Sequence, residues 1–168
     1  MTCLATIAAQ SVACQRPQTL SGKTVESRDS NGQLVELIDS TLTLRDGETW
    51  LALKPPFKTA FPYSLLCLGI PDGYRHTFRP LAMMTPSGQK VVISAQVRRS
   101  DGSSVPMQFM SIGAWRSVTG GGFEYCLKSY LFSSKEGEGF PVGTTITGLT
   151  LRSNMPVTIR RLVWTSTR

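Results

Sequence analysis

A reaction centre or metal site in this chain would have to be built from one histidine, four cysteines and a thin scatter of carboxylates. His76 sits in Tyr74-Arg-His-Thr-Phe78, alternating with two aromatic rings. A histidine base needs a nucleophile within hydrogen-bond reach and a carboxylate to orient it. The local sequence identifies neither, so a histidine at the edge of the core is the favoured reading. An enzyme would require His76 to face a pocket holding a carboxylate such as Asp72. There is no Gly-x-Ser-x-Gly elbow, and Gly120-Gly-Gly122 and Gly137–Gly139 lack the lysine and strand-to-helix setting of a phosphate loop. One histidine and four dispersed cysteines do not match zinc-ligand spacing. Lys135-Glu-Gly-Glu-Gly139 reads as a solvated turn. The expectation is a non-enzymatic protein with no catalytic residue, no metal site and no cofactor.

The cysteines carry more information. Cys67, in Leu65-Leu-Cys-Leu68, reads as a buried reduced thiol. Cys126 alternates onto the face of Glu124 and Lys128, away from Phe123, Tyr125 and Leu127, an unusual setting for a residue that prefers burial. Cys3 and Cys14 lie near the N-terminus, and four cysteines allow three internal pairings. Two readings stay open. Either Cys3, Cys14 and Cys126 meet neighbouring subunits, as disulfides at an oxidising particle surface, or all four are free thiols in a reducing cytosol. Phe57, Phe61 and Tyr63 form an aromatic loop that serves either as a partner contact or as a lid on the core.

These side chains are positioned by short extended segments. Residues 1–22 read as an extended arm, with a short helix over Leu4–Val12, whose Cys3, Leu4, Ile7, Val12 and Cys14 would face a neighbouring subunit. Residues 23–168 read as one β domain. Asn31-Gly32 signals a hairpin between Lys23–Arg28 and Gln33–Leu44. Lys54-Pro-Pro56 is expected to close the strand Thr49–Leu53, since prolines cannot donate to a ladder. In Lys90–Arg99, Val91, Ile93, Ala95 and Val97 alternate with polar residues, marking a half-buried strand. Ser100-Asp-Gly102 leads from it into a hairpin. The apolar parity slips in Thr144–Arg152 and again in Val157–Thr165, which predicts bulges near Thr147–Gly148 and Arg160–Arg161. Nine or ten strands punctuated by Gly and Pro predict an all-β fold, a two-sheet β-sandwich or jelly roll.

Composition bounds the partners. Charged residues make up 17% of the 168-residue chain, against roughly 25% in an ordinary soluble domain. The net charge of +7 is concentrated beyond residue 84, where ten basic residues face four acidic ones, yet no run of basic residues forms. No stretch is long and apolar enough for a spanning helix, so no membrane role is expected. With no Lys or Arg before the short apolar stretch Met1–Cys14, a cleaved signal is not expected either.

The arm and the closing strands Ile146-Thr-Gly-Leu-Thr-Leu151 and Val157-Thr-Ile-Arg-Arg-Leu-Val-Trp164 give residues 23–168 a layout that resembles jelly-roll and β-sandwich subunits of virus particles. The likeness is to the accessory proteins that tailed bacteriophages place on heads, collars or tails. It implies a structural virion subunit, assembled in the host cytoplasm, with copies of itself and other virion proteins as partners. The arm carries Arg16 alone, too little charge for packed phosphates, so direct genome contact is not expected. The competing class is a carbohydrate-binding module stacking sugars on Trp50, Trp115 or Tyr130, since architecture alone does not decide function.

Overall fold

The computed structural model describes residues 18–38, 41–78, 81–111, 122–129 and 140–168. These residues form strands and turns with no helix among them. The strands are β1 (Gln18–Lys23), β2 (Val25–Arg28), β3 (Gly32–Ile38), β4 (Leu42–Leu44), β5 (Gly47–Lys58), β6 (Tyr63–Ile70), β7 (Arg75–Phe78) and β8 (Leu81–Met84). They continue as β9 (Lys90–Val91), β10 (Ile93–Arg99), β11 (Ser104–Ser111), β12 (Phe123–Ser129), β13 (Thr145–Ser153), β14 (Val157–Ile159) and β15 (Arg161–Thr167). The short helix expected over Leu4–Val12 and the arm contacts at Cys3, Leu4, Ile7, Val12 and Cys14 lie outside the described residues.

Nine strands make a curled antiparallel sheet in the order β5-β13-β10-β11-β12-β6-β15-β3-β2, and β1 adds to β5 in parallel. Because only Thr24 separates β1 from β2, one extended segment reaches both edges of the sheet. Its first half pairs with β5, Gln18 opposite Thr49, and its second half with β3, Arg28 opposite Gln33. Thr24 anchors the crossing: its N–H donates to the Lys54 carbonyl at 3.3 Å and its hydroxyl to the Pro55 carbonyl at 2.7 Å. Closing a sheet on itself removes the exposed donor and acceptor rows of its edges. Residues 18–22 thus belong to the sheet rather than to a free arm.

Gln33 reinforces the seam. Its amide nitrogen donates to the Lys58 carbonyl (2.7 Å) and to Glu26 Oε1 (2.8 Å). Its amide oxygen accepts from the Ala60 N–H (2.9 Å) and the Ser166 hydroxyl (3.0 Å). A side chain only 3% exposed therefore links β2, β3, β15 and the end of β5.

Inside the curl, alternate residues of every long strand meet in one core. Val91, Ile93, Ala95 and Val97 all point inward, as their alternation predicts. Trp164 is fully buried between Phe57 and Phe140, with ring centroids 5.6 and 4.8 Å away in edge-on geometry.

Several predicted strands are divided where the chain changes sheets. The run from Gln33 becomes β3 in the main sheet and β4, which pairs with β14 in a small sheet. Residues 75–84 form the antiparallel pair β7–β8, joined by β9. Lys90–Arg99 divides at Val92, whose N–H donates to Asn154 Oδ1 (2.8 Å) while Asn154 Nδ2 donates to the Lys90 carbonyl (3.0 Å). Of the two expected bulges, the first is a bulge and the second is a break between two strands. Thr147 is the extra residue as the β10–β13 register jumps from Arg98–Gly148 to Arg99–Ile146. Arg160 is the hinge between β14 and β15, its N–H donating to the Gly69 carbonyl at 2.8 Å.

The strand expected to stop at Lys54-Pro-Pro56 instead runs on to Lys58. Pro55 and Pro56 are exposed, and the pairing with β1 ends at Lys23 opposite Lys54, just before the prolines.

Candidate binding groove

On the outer face of the wall β2-β3-β15-β6-β12 lies a groove of about 760 Å³. Its position follows from strand alternation. Once Val35, Leu66, Tyr125 and Trp164 point inward, their neighbours Leu34, Leu65, Val163, Thr165, Cys67, Glu124 and Cys126 must point outward. Leu34, Leu65, Val163 and the two cysteines make an apolar floor, and Arg28, Asp29, Glu124 and Arg161 supply charge around it. Val163, Cys67 and Cys126 are only 3–5% exposed although they lie on the outer face.

Three charged side chains are fixed together across the strands. Arg161 Nη2 lies 2.6 Å from Glu36 Oε1, and its Nη1 lies 3.9 Å from Glu124 Oε1. Gly69 makes this reach possible. It stands between them in the sheet, opposite Arg161 on one side and Glu124 on the other. A Cβ on residue 69 would sit 3.0 Å from the Arg161 Cβ. At the far end, the Asp29 carboxylate accepts the N–H groups of Asn31 (2.7 Å) and Gly32 (2.8 Å). Those backbone donors hold its pKa below the usual aspartate value.

Cys67 and Cys126 form a disulfide beneath the groove. Both expectations for these residues are corrected: Cys67 is not a reduced thiol, and Cys126 bonds within its own chain rather than to a neighbouring subunit. The reason is register. β6 and β12 pair antiparallel with Cys67 directly opposite Cys126, and their Cα atoms are 4.1 Å apart. Such close opposite pairs bring side chains together. The carboxylate of Glu124 and the two sulfurs lie within 4.8 Å of one another.

The aromatic loop divides. Phe57 packs against Trp164, and Phe61 is buried beneath the Arg28 guanidinium, 5.6 Å from its ring. Both rings are buried against the core, where the loop folds back at the seam. Tyr63 remains 39% exposed. His76 lies half-buried on β7 opposite Met83, in the β7-β8-β9 sheet and apart from the groove lining. Trp50 lies over Gly148 with the Arg98 guanidinium 5.6 Å from its ring; Trp115 and Tyr130 lie outside the described residues.

Sequence reasoning did not single out Arg161, Glu36, Gly69, Leu34, Leu65 or Val163. Two signals pointed towards them. The slip at Arg160–Arg161 sets which residues of β15 face out, and the placing of Cys126 with Glu124 set a thiol beside a charge.

The chain matches no protein-family model and none of the curated proteins it was compared with.

Proposed function

We propose that this protein is a non-enzymatic structural subunit of a virus particle, a head, collar or tail accessory protein that assembles through the outer groove and its N-terminal arm. The groove carries the reading. An apolar floor within a rim of charged groups is the surface of a binding site for a partner chain. Two charged groups at its edge are already held, Arg161 by Glu36 and Asp29 by its own turn. They are set to recognise a partner rather than to react with it. The two-layer description, a sandwich or jelly roll, belongs to the same proposal, and opposite walls packing over one core support it. Assembly would take place in the host cytoplasm, and the disulfide fits a particle that later meets oxidising surroundings.

The test is native mass measurement and negative-stain microscopy of the full chain beside Leu65→Asp and Leu34→Asp. Both leucines are half-buried on the outer face, so the variants should fold. The expected result is rings, trimers or larger arrays for the parent and a shift towards monomer for both variants. A parent that stays monomeric at high concentration, also when mixed with particle proteins encoded beside it, would sink the proposal.

A further inference from the structure

We infer that Cys67, Cys126 and Glu124 form a binding site for a soft divalent cation such as Zn²⁺ or Cd²⁺, closed by the disulfide and opened by its reduction. Thiolate sulfur and carboxylate oxygen are both donors to such ions, and a site with three protein ligands keeps one position open. The sheet supplies the geometry. The ladder holds residue 67 opposite residue 126, and Glu124 lies two residues along on the same outward face. The carboxylate oxygen lies within 4.8 Å of both sulfurs, and a tetrahedral ion with bonds of about 2.0–2.3 Å sets its ligands roughly 3.5–4 Å apart, so once the disulfide is reduced the sulfurs separate to admit the ion.

The surroundings fit. Gly69, opposite Glu124, leaves the carboxylate free to lean across the row. Arg161 is the cation facing the cluster from β15, and it is drawn to Glu36 at 2.6 Å, with Glu124 at 3.9 Å. Glu36 thus balances most of the Arg161 charge, leaving two thiolates and Glu124 to meet a dication. The groove, which all three residues line, is the path of entry.

The chemistry balances with a dithiol as reductant. The dithiol gives two electrons and two protons to the Cys67–Cys126 bond and becomes a cyclic disulfide. The cation then displaces both thiol protons to solvent. Exchange with an added small-molecule disulfide, which takes the two electrons and leaves as two thiols, would re-form the Cys67–Cys126 bond and expel the ion.

The experiment uses the full chain with Cys3→Ser and Cys14→Ser, so that no other thiol competes. The protein is reduced with dithiothreitol, freed of reductant without air, and titrated with Cd²⁺ while thiolate-to-metal absorption in the ultraviolet is recorded. Far-ultraviolet circular dichroism is followed in parallel. The expected result is one equivalent bound by the reduced form, none by the oxidised form and none by Cys67→Ser/Cys126→Ser. Glu124 is a direct ligand, and loss even of a group that only supports a ligand costs about 10–100-fold, so Glu124→Gln should weaken binding at least about tenfold while keeping the strand spectrum. Equal titration of the oxidised form or of the double serine variant would overturn the inference. So would an unchanged affinity in Glu124→Gln, or collapse of the strand spectrum on reduction.

Discussion

Single side chains close this fold and set its pH limits. Gln33 meets four partners at the seam, and replacing it with leucine strands the Ala60 N–H and the Lys58 carbonyl. The expected loss is about 1–3 kcal/mol, read from urea midpoints, because a buried group without its partner carries its full desolvation cost. Tyr125 limits stability in alkali. Burial raises its pKa from 10.0 to about 12, with a backbone hydrogen bond at Ile93 pulling the other way. The folded state therefore keeps a proton that the unfolded chain gives up near pH 10. The stability this contributes is whole below that point and is lost as pH rises to about 12. Urea midpoints should fall across this window, and Tyr125→Phe should fall less steeply. Equal slopes would show that another group is responsible.

At the scale of elements, close approaches between strands decide what each position tolerates. Gly148 follows the Thr147 bulge and lies under Trp50, where a Cβ would come 2.8 Å from the Leu51 carbonyl oxygen and 3.2 Å from the indole. Backbone cannot yield as a flexible side chain can. Gly148→Val should cost about 3 kcal/mol, at the upper end of overpacking penalties, measured by thermal melts. The elements also show where alternation was enough. The inward faces of β10, β12 and β15 were legible because apolar residues recur there with period two, and the slips at Thr147 and Arg160 marked real breaks in that period. Partner changes were not legible. Gln33–Leu44 reads as one run although β3 and β4 join different sheets, because leaving one ladder for another depends on neighbours distant in sequence.

Across the whole molecule, the disulfide ties β6 to β12 over a separation of 59 residues. Cys67→Ser/Cys126→Ser should lower stability by about 2–4 kcal/mol, because the link shrinks the unfolded ensemble. Net stability of a domain is about 5–15 kcal/mol, so the variant should still fold. Retained strand signal with a lower urea midpoint is the expected outcome, and an unchanged midpoint would mean that the closed sheet already holds these strands in place. Closure should show in hydrogen exchange too. With β1 and β2 covering both edges, amides of β3 and β5 should exchange as slowly as those of central strands such as β10.

The residues alone determined that the described body is all-β, which faces of its best strands turn inward, and where two of those strands change parity. Each of these is local, carried by alternation and by turn residues a few positions apart. Tertiary structure alone decided that one segment joins both sheet edges, that Cys67 stands opposite Cys126, and that Arg161 reaches across Gly69 to Glu124. Those pairings set residues far apart in the chain side by side, and which strand lies next to which follows from burying one shared core, a property no local stretch of sequence contains.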